Sequence, residues 1–282
     1  MTGPFDVTSP TVVSGVVYFG TSNYAGGNVY AFNAASGAEV WSFNGNGASY
    51  SSPAVVNDVV YTGAGYTVYA LNGTTGDEIW NYTTGGVPSS PAVVSGTVYV
   101  GSQDGNVYAL NATSGKKLWN CIVGDVYVYS SPAVAGDVVY VGGGNSVYAI
   151  NAADGAELWS YPTEGAVVSS PAIAGGVVYV GSDDDNVYAL NATNGAKLWN
   201  YTTGGSVSSS PAFVNGVVYV GSDDGCVYAL GSPTTLPPHT SFNSPLIVTG
   251  VIIAAVVIVI TVIVTTFRKR FEKPPNLLAE KT

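Results

Sequence analysis

Basic residues are scarce in this sequence. Its 282 residues include eight Lys and Arg against eighteen Asp and Glu, which gives a formal net charge of −10 at pH 7. The first 245 residues contain three Lys and no Arg, and the other five basic residues all follow them. Because phosphate groups are bound mainly by Lys and Arg, this shortage argues against binding to nucleic acid or to a nucleotide.

Histidine and cysteine are almost missing, which restricts the catalytic chemistry. The sequence has one His and two Cys. His239 lies in a segment rich in Pro and Thr, so no Ser-His-Asp or Cys-His catalytic set can be assembled around it. Cys121 and Cys226 lie far apart in the repeated pattern described below, and we expect two free, buried thiols rather than a disulfide.

Apolar runs long enough to cross a membrane are absent from the first 245 residues, but one follows. Residues 246–264 carry no charge and, as a helix, would span about 28 Å, close to the hydrocarbon core of a bilayer. We predict a transmembrane helix over 246–266, preceded by a Pro-, Thr- and Ser-rich stalk at 232–245. A basic triplet opens the tail at 267–282, which the positive-inside rule places in the cytoplasm. The preceding body is therefore expected outside the cytoplasm, in a single-pass protein of the cell membrane.

A unit of 39 or 40 residues repeats six times through residue 231. Five copies end in a Trp, and successive Trp residues are 39, 39, 40 and 40 residues apart: Trp41, Trp80, Trp119, Trp159 and Trp199. A period in this range is typical of solenoids, propellers and arrays of structural repeats.

Each unit contains four short runs rich in Val, Tyr and Ile, separated by turns of Gly, Asn, Asp and Ser, which is the composition of strands and turns. The second and third runs, such as V-V-Y-V-G and V-Y-A-L-N, are almost entirely apolar, so we expect both of their faces to be buried. This pattern predicts an all-β fold, a β-propeller of about six four-stranded blades over residues 1–231. The sixth unit has no Trp run, so the last blade is expected to be incomplete.

The Trp residues belong to a spaced motif: an Ala, a Gly six residues later and a Trp four residues after that. The five glycines are Gly37, Gly76, Gly115, Gly155 and Gly195. The motif resembles the tryptophan-docking motif of the PQQ-like, BamB-like family of β-propeller repeats, although Asn replaces the usual Asp at its third position. The resemblance implies that each Trp wedges against a neighbouring blade and that both residue sets are structural.

The same resemblance leaves the activity open, because the family includes pyrroloquinoline quinone (PQQ) dehydrogenases and non-catalytic scaffolds. A PQQ dehydrogenase needs the quinone with Ca²⁺, but this sequence has no Cys-Cys pair, and its first 245 residues have no Arg to meet the quinone carboxylates. We therefore expect a protein that is not an enzyme and needs no cofactor, and that binds proteins or cell-surface polymers. A degenerate PQQ-dependent dehydrogenase and a glycan-binding or adhesion module are the alternatives.

Acidic turns offer a candidate binding face. If the Ser-Pro strand is innermost in each blade, these turns share one face with the connections between blades. The face carries Asp104, Asp183, Asp184, Asp185, Asp223 and Asp224. Carboxylates in this number could hold Ca²⁺. Asp-Asp and Asp-Gly pairs are also ordinary turn residues, so a purely structural role is the alternative.

Five Asn-x-Thr triplets mark candidate glycan acceptors on an exported surface: Asn72, Asn81, Asn111, Asn191 and Asn200. Several occupy turn positions that the repeat requires to be polar, so repetition alone accounts for part of the number.

The first eight residues contain neither a signal peptide nor a Trp run. Since propellers of this kind often complete the last blade with a strand from a chain end, we expect that the natural chain extends further at its N-terminus. Without such a strand, the sixth blade would have three strands and an exposed edge.

Overall fold

The computed structural model describes residues 6–22, 26–124 and 127–231, and all regular secondary structure in these ranges is β. Within these ranges no helix is long and apolar enough to cross a membrane. The predicted stalk, transmembrane helix and cytoplasmic tail lie outside the described residues.

The strands form six antiparallel sheets in succession along the chain. The first sheet contains five strands: β1 (Asp6–Val7), β2 (Thr11–Val13), β3 (Val16–Ser22), β4 (Gly27–Asn33) and β5 (Glu39–Gly47). The second contains β6 (Ala54–Val56), β7 (Val59–Ala64), β8 (Thr67–Asn72) and β9 (Glu78–Thr83). The third contains β10 (Ala92–Val94), β11 (Thr97–Gly101), β12 (Asn106–Asn111) and β13 (Lys117–Ile122).

The remaining three sheets continue the pattern and then shorten it. The fourth contains β14 (Ala133–Ala135), β15 (Val138–Gly143), β16 (Ser146–Asn151) and β17 (Glu157–Pro162). The fifth contains β18 (Ala172–Ala174), β19 (Val177–Gly181), β20 (Asn186–Asn191) and β21 (Lys197–Thr202). The sixth has three strands within the described residues: β22 (Ala212–Val214), β23 (Val217–Gly221) and β24 (Val227–Gly231). The all-β prediction is confirmed for the described residues, and the three strands of the sixth sheet in these ranges agree with its lack of a Trp run.

The short strand after each Ser-Pro step is the innermost strand of its sheet. The strands β2, β6, β10, β14, β18 and β22 contact one another in that order, each meeting the next. The other strands follow outward in chain order, except that in the first sheet β1 pairs with β3 on the same side as β2. Consecutive strands joined by short turns give this simple meander, and a series of such sheets is consistent with the blades of a propeller.

In five of the six innermost hairpin turns, both central residues adopt positive φ. Ser95 and Gly96 have φ of 50° and 76°, and Asn215 and Gly216 have 51° and 84°. Two consecutive residues with positive φ are typical of the hairpin turns that match the twist of their strands. The recurrent small or polar residue followed by Gly therefore fixes the register of the first two strands.

The core lies between successive sheets rather than inside any one of them. One cluster joins Tyr61 and Trp80 of the second sheet to Val98, Val100 and Leu110 of the third. The three third-sheet residues have no accessible surface. Burial on both faces of the second and third strands therefore agrees with their apolar sequences, because each sheet is covered by its neighbours.

The outermost strand carries a β-bulge at the same place in all five sheets that possess it. In the third sheet Trp119 pairs with Ala109, but Leu110 pairs with Lys117, so Leu118 is the extra residue. A bulge re-aims the side chains around it. Here Trp119 points into the core while Leu118 is 51% exposed.

The expected burial of both thiols is wrong. Cys226 is exposed and Cys121 is half-buried, and both are free. Cys226 directly precedes β24, which has no outer strand beside it within the described residues. The missing cover explains the exposure of this thiol.

Candidate binding face

The Trp residues dock between sheets through a contact that is repeated four times. Trp80 Nε1 donates a hydrogen bond to the Ala112 carbonyl of the next sheet at 2.8 Å. Tyr61 Oη donates to the same carbonyl at 3.2 Å. The same arrangement holds for Trp41 with Tyr18, Trp119 with Tyr99, and Trp159 with Tyr140. One carbonyl thus accepts two donors and ties neighbouring sheets together.

The docking glycines lie directly against these indoles. A Cβ added to Gly115 would lie 2.6 Å from Trp80, and the next three pairs are equally close: Gly76 with Trp41, Gly155 with Trp119, and Gly195 with Trp159. Each Trp therefore packs on the glycine of the following repeat. Gly37 has no atom within 4 Å of its added Cβ, and Trp199 is 37% exposed.

Sequence reasoning missed the tyrosine half of this contact. Tyr18, Tyr61, Tyr99, Tyr140 and Tyr179 recur in register on the second strand, and each ring lies 5.8–5.9 Å from the Trp of its own sheet. The signal was available, because a Tyr held at one position of an apolar strand suggests a hydroxyl with a fixed partner.

Three of the candidate Asp residues join an acidic turn to the preceding connection between sheets. Asp104 accepts hydrogen bonds from the Gly85 N–H at 2.7 Å and from Tyr108 Oη at 2.6 Å. Asp184 does the same with Glu164 and Tyr188, and Asp224 with Gly204 and Tyr228. The acidic turns and the connections therefore lie on one face. These three carboxylates are engaged in holding it together.

The other three candidate Asp residues are held mainly through their backbones rather than through their carboxylates. Asp183 accepts a hydrogen bond from Ser208 Oγ at 3.1 Å. Asp185 has a φ of 69°, and its carbonyl accepts the Thr203 N–H at 2.8 Å. Asp223 uses its N–H to reach the Ser206 carbonyl at 2.9 Å. Among residues 6–22, 26–124 and 127–231, no group of three His, Cys, Asp or Glu side chains is placed to hold a metal ion.

Hydrogen bonding sets the ionisation of the engaged carboxylates. Partial burial would raise the pKa of Asp184, but hydrogen bonds from Tyr188, Asn186 and Glu164 outweigh it and hold the pKa below its usual value. The pKa of Asp104 is lowered in the same way. At Asp224 the bond from Tyr228 is the main cause, and the pKa falls to about 2.

These shifts predict a loss of stability in acid. A carboxylate whose pKa is lower in the folded state stabilises the fold above its unfolded pKa, near 3.9 for Asp, and loses that contribution as the pH falls through the folded value. We expect the free energy of unfolding to fall between about pH 4 and pH 2. Asp184→Asn should flatten this fall relative to the parent protein, measured by urea unfolding at several pH values. A slope equal to that of the parent protein would contradict the assignment.

The candidate glycan acceptors fall into two structural groups. The Asn72 Oδ1 accepts the N–H groups of Thr74 and Thr75 at 2.9 and 3.0 Å, which shapes a docking turn. Asn111 and Asn191 occupy the same position in later repeats. Asn81 and Asn200 instead lie exposed on the outer strands β9 and β21. Glycosylation at these sites stays a prediction, with the outer-strand pair the more accessible.

A second feature of this face, absent from the sequence predictions, is a groove of about 500 Å³ lined by tyrosines. Tyr50 is 61% exposed and Tyr129 is 53% exposed. The groove lining also includes Gln103 and residues of three other types: Val87, Pro88, Ser89, Ser90, Val128 and Ser131. The ring of Tyr127 lies tilted against that of Tyr129, with ring centroids 5.7 Å apart.

The sequence did carry a signal for this groove. Tyr50 and Tyr129 occupy the position directly before the Ser-Ser-Pro step, where other repeats have Pro88, Val168 and Ser208. These two residues depart from the repeat, so they are not among the landmarks that its copies share. Exposed rings beside hydroxyl and amide groups can stack on an apolar ligand surface while accepting and donating hydrogen bonds.

The family model for the outer membrane protein assembly factor BamB matches residues 6–126 and 124–234. The chain belongs to this PQQ-like repeat family. Among the curated proteins, no sequence matches it.

Solved structures agree on the fold of this BamB-family protein. BamB from Moraxella catarrhalis aligns with a TM-score of 0.67 at 16% identity, over 83% of this chain and 76% of that one. The computationally designed Ika8 protein aligns with a TM-score of 0.72 at 18% identity, over 80% and 71%. Quinohemoprotein alcohol dehydrogenase from Comamonas testosteroni aligns with a TM-score of 0.56 at 20% identity, over 64% and 41%. Identities this low establish a shared fold and do not indicate the activity.

The family's quinone cofactor does not fit the residues of the tyrosine groove. The groove lining contains no cationic side chain for the carboxylates of PQQ. The three Lys of the first 245 residues, Lys116, Lys117 and Lys197, lie at the outer strands β13 and β21. Lys117 Nζ donates there to Asn120 Oδ1 at 3.0 Å.

Proposed function

We propose that this BamB-family protein is a non-catalytic binding module that holds a protein or a cell-surface polymer outside the cytoplasm. A transmembrane helix at 246–266 would anchor it to the cell membrane, with the tail at 267–282 inside. The anchor and the orientation are supported by the uncharged run and the basic triplet that follows it.

The observation that carries the proposal is the contrast between two groups on the same face. Asp104, Asp184 and Asp224 each accept two or more hydrogen bonds from the fold itself. Tyr50 and Tyr129 instead present their rings to solvent beside the groove. Exposed aromatic residues in a concave site are the usual anchors of binding surfaces. The rigid, repeated docking contacts beneath them favour a fixed platform.

A dehydrogenase is the weaker candidate, because the groove lacks a cation for the quinone. A glycan-binding module remains the stronger alternative, since tyrosine rings with Ser and Gln side chains can stack on a sugar and bond its hydroxyl groups. A protein ligand and a glycan ligand would both bind the tyrosine groove, so the two proposals differ in the ligand and not in the binding surface.

The test is site-specific photocrosslinking of the full-length protein in native membranes. A photoreactive residue at position 129 should capture a partner, while one at position 118 should not. Leu118 is 51% exposed, close to the 53% of Tyr129, but lies on an outer strand. The captured partner, once purified, should bind the parent protein and lose about tenfold or more in affinity with Tyr50→Ala/Tyr129→Ala. Leu118→Ala should leave the affinity unchanged.

Two outcomes would count against the proposal. Equal crosslinking from positions 129 and 118 would mean that the groove is not the binding surface. Saturable binding of PQQ with Ca²⁺, together with dye-linked oxidation of an alcohol or sugar, would replace the binding module with an enzyme. A positive signal on a carbohydrate array that depends on Tyr129 would specify the glycan alternative.

A further inference from the structure

The tyrosine groove lies on the acidic face. Gln103, which lines the groove, belongs to the acidic turn between β11 and β12, and its N–H donates to the Val87 carbonyl at 3.1 Å. The carboxylates that the structure describes on this face are Asp104, Glu164, Asp183, Asp184, Asp185, Asp223 and Asp224. A face with this many acidic side chains attracts cations and repels anionic polymers.

The basic residues of the described ranges lie elsewhere. They are Lys116, Lys117 and Lys197, at the points where the outer strands β13 and β21 begin. Lys117 pairs with Leu110 near the end of β12, whereas the acidic turn precedes the start of that strand. The register of β20 with β21 places Lys197 in the same way. These cations are therefore at the opposite end of the sheets from the groove and do not neutralise its face.

A pair of open tyrosine rings stands at the groove. The planes of Tyr127 and Tyr129 are inclined by 56°. Among the aromatic pairs of the described residues, it is the one in which both rings are exposed. The exposed ring of Tyr50 lines the same groove. Several open ring faces around one space are the arrangement in which proteins hold an organic cation, because the face of an aromatic ring is negative.

The groove also offers hydrogen-bond acceptors that the fold does not use. Within the described residues, the Gln103 side chain and the hydroxyls of Tyr50 and Tyr129 form no hydrogen bond to the protein. By contrast, Ser89 Oγ accepts the Gly101 N–H at 2.9 Å. Amide and phenol oxygens accept hydrogen bonds from ammonium and guanidinium groups, which are rich in donors and have no acceptor.

The apolar part of the lining suits the rest of such a ligand. Val87, Pro88 and Val128 present aliphatic surface in a groove of about 500 Å³, a volume within the usual range of ligand sites. Lys and Arg carry their charge on apolar stems that pack against surface of this kind. A neutral glycan would stack on the rings but gain nothing from the charge of the face. The charge therefore favours a basic protein segment over a glycan.

We propose that the tyrosine groove binds an extended, basic segment of a partner protein, with a Lys or Arg side chain on the tyrosine rings. The Gln103 amide oxygen and the tyrosine hydroxyls accept hydrogen bonds from its cationic group, and apolar neighbours in the segment cover Val87, Pro88 and Val128. This inference rests on the proposed function, because it specifies the ligand of the same groove.

Random heptapeptides displayed on phage are selected on the full-length protein and, in parallel, on its Tyr50→Ala/Tyr129→Ala variant. No knowledge of the natural partner is needed. We expect the peptides that bind the parent protein but not the variant to be enriched in Arg and Lys about threefold or more over the starting library, as a cation on an exposed ring should produce.

The most enriched peptide is then synthesised with a fluorescein label and titrated by fluorescence anisotropy. Replacing its basic residue by Gln should weaken binding about three- to thirtyfold. Tyr129→Leu should have an effect of the same size, because it keeps apolar bulk and removes the ring. Tyr129→Phe keeps the ring and should change the affinity by no more than about twofold. Raising the salt from about 0.05 M to about 0.5 M should weaken binding as well.

The outcomes separate this inference from the proposed function. Tyrosine-dependent peptides without an excess of Arg and Lys would overturn the basic ligand but leave binding at the groove intact. Equal affinities of the Tyr129→Leu and Tyr129→Phe variants would overturn the role of the ring. If no tyrosine-dependent peptide is selected, the inference is wrong, and photocrosslinking from position 129 decides the proposed function separately. A Tyr129-dependent signal on a carbohydrate array would then identify a glycan as the ligand.

Discussion

Replacing Trp80 by Ala should lower the free energy of unfolding by about 3–5 kcal/mol. Trp80 is 8% exposed and packs in the cluster between the second and third sheets. The substitution removes the indole from Gly115, leaves a cavity beside Tyr61, and deletes the bond from Nε1 to the Ala112 carbonyl. The loss is comparable with the whole stability of a small domain, which is about 5–15 kcal/mol.

Trp199→Ala is the matched control for this substitution. Trp199 pairs with Ala189 on the same kind of strand, but it is 37% exposed. Its removal should cost about 1 kcal/mol, as for an average point substitution. Both variants are compared by urea unfolding followed by circular dichroism, because Trp fluorescence changes with the substitution itself. Equal losses would mean that the contact with the next sheet contributes little.

A conservative variant separates the two parts of the Trp80 contact. Trp80→Phe keeps an aromatic ring in the cavity and removes the donor to Ala112. Since Tyr61 Oη still donates to that carbonyl, the acceptor is not left unsatisfied. The expected loss from the missing bond is then about 0.5–1.5 kcal/mol, with the rest of the Trp80→Ala effect assigned to packing.

The strands of this fold were predictable because every repeat has the same pattern of apolar and turn-forming residues. The V-Y-A-L-N run is apolar on both faces in each copy, and each of the strands that it forms is buried where neighbouring sheets cover it. The placement of the Ser-Pro strand at the inside was a condition of the predicted acidic face rather than a derived result, and the contacts between these strands agree with it. Strands can be predicted from a sequence when the local preference of each segment agrees with its packing in the fold, as it does here.

The partners of the docking residues were not predictable from spacing alone. Gly115 and Trp119 belong to one motif in the sequence, yet Gly115 lies against Trp80, 35 positions earlier in the chain. The contact depends on how sheets stack, and the spacing of a single repeat contains no such information. Likewise, the sequence does not show whether Asp104 binds a ligand or holds a turn. Its hydrogen bonds to Gly85 and Tyr108 assign it the structural role.

The tyrosine groove arises where copies depart from the repeat, because Tyr50 and Tyr129 replace the residues found elsewhere. In a repeat protein the shared positions maintain the stack, since each unit is stabilised by its neighbours. Positions that differ between copies are free of that constraint, so function is best sought among them.

Gly115→Ala and Gly37→Ala provide the sharpest test of the docking contact, because the two glycines have the same backbone geometry. Their φ values are 68° and 69°, so both variants incur about 1–2 kcal/mol for placing Ala in a left-handed conformation. An added Cβ meets Trp80 at 2.6 Å in one case and nothing within 4 Å in the other. Overpacking should cost Gly115→Ala a further 1–3 kcal/mol or so. Urea unfolding measures the difference directly; if the two variants lose the same free energy, Trp80 yields to the methyl group and the docking contact is not tightly packed.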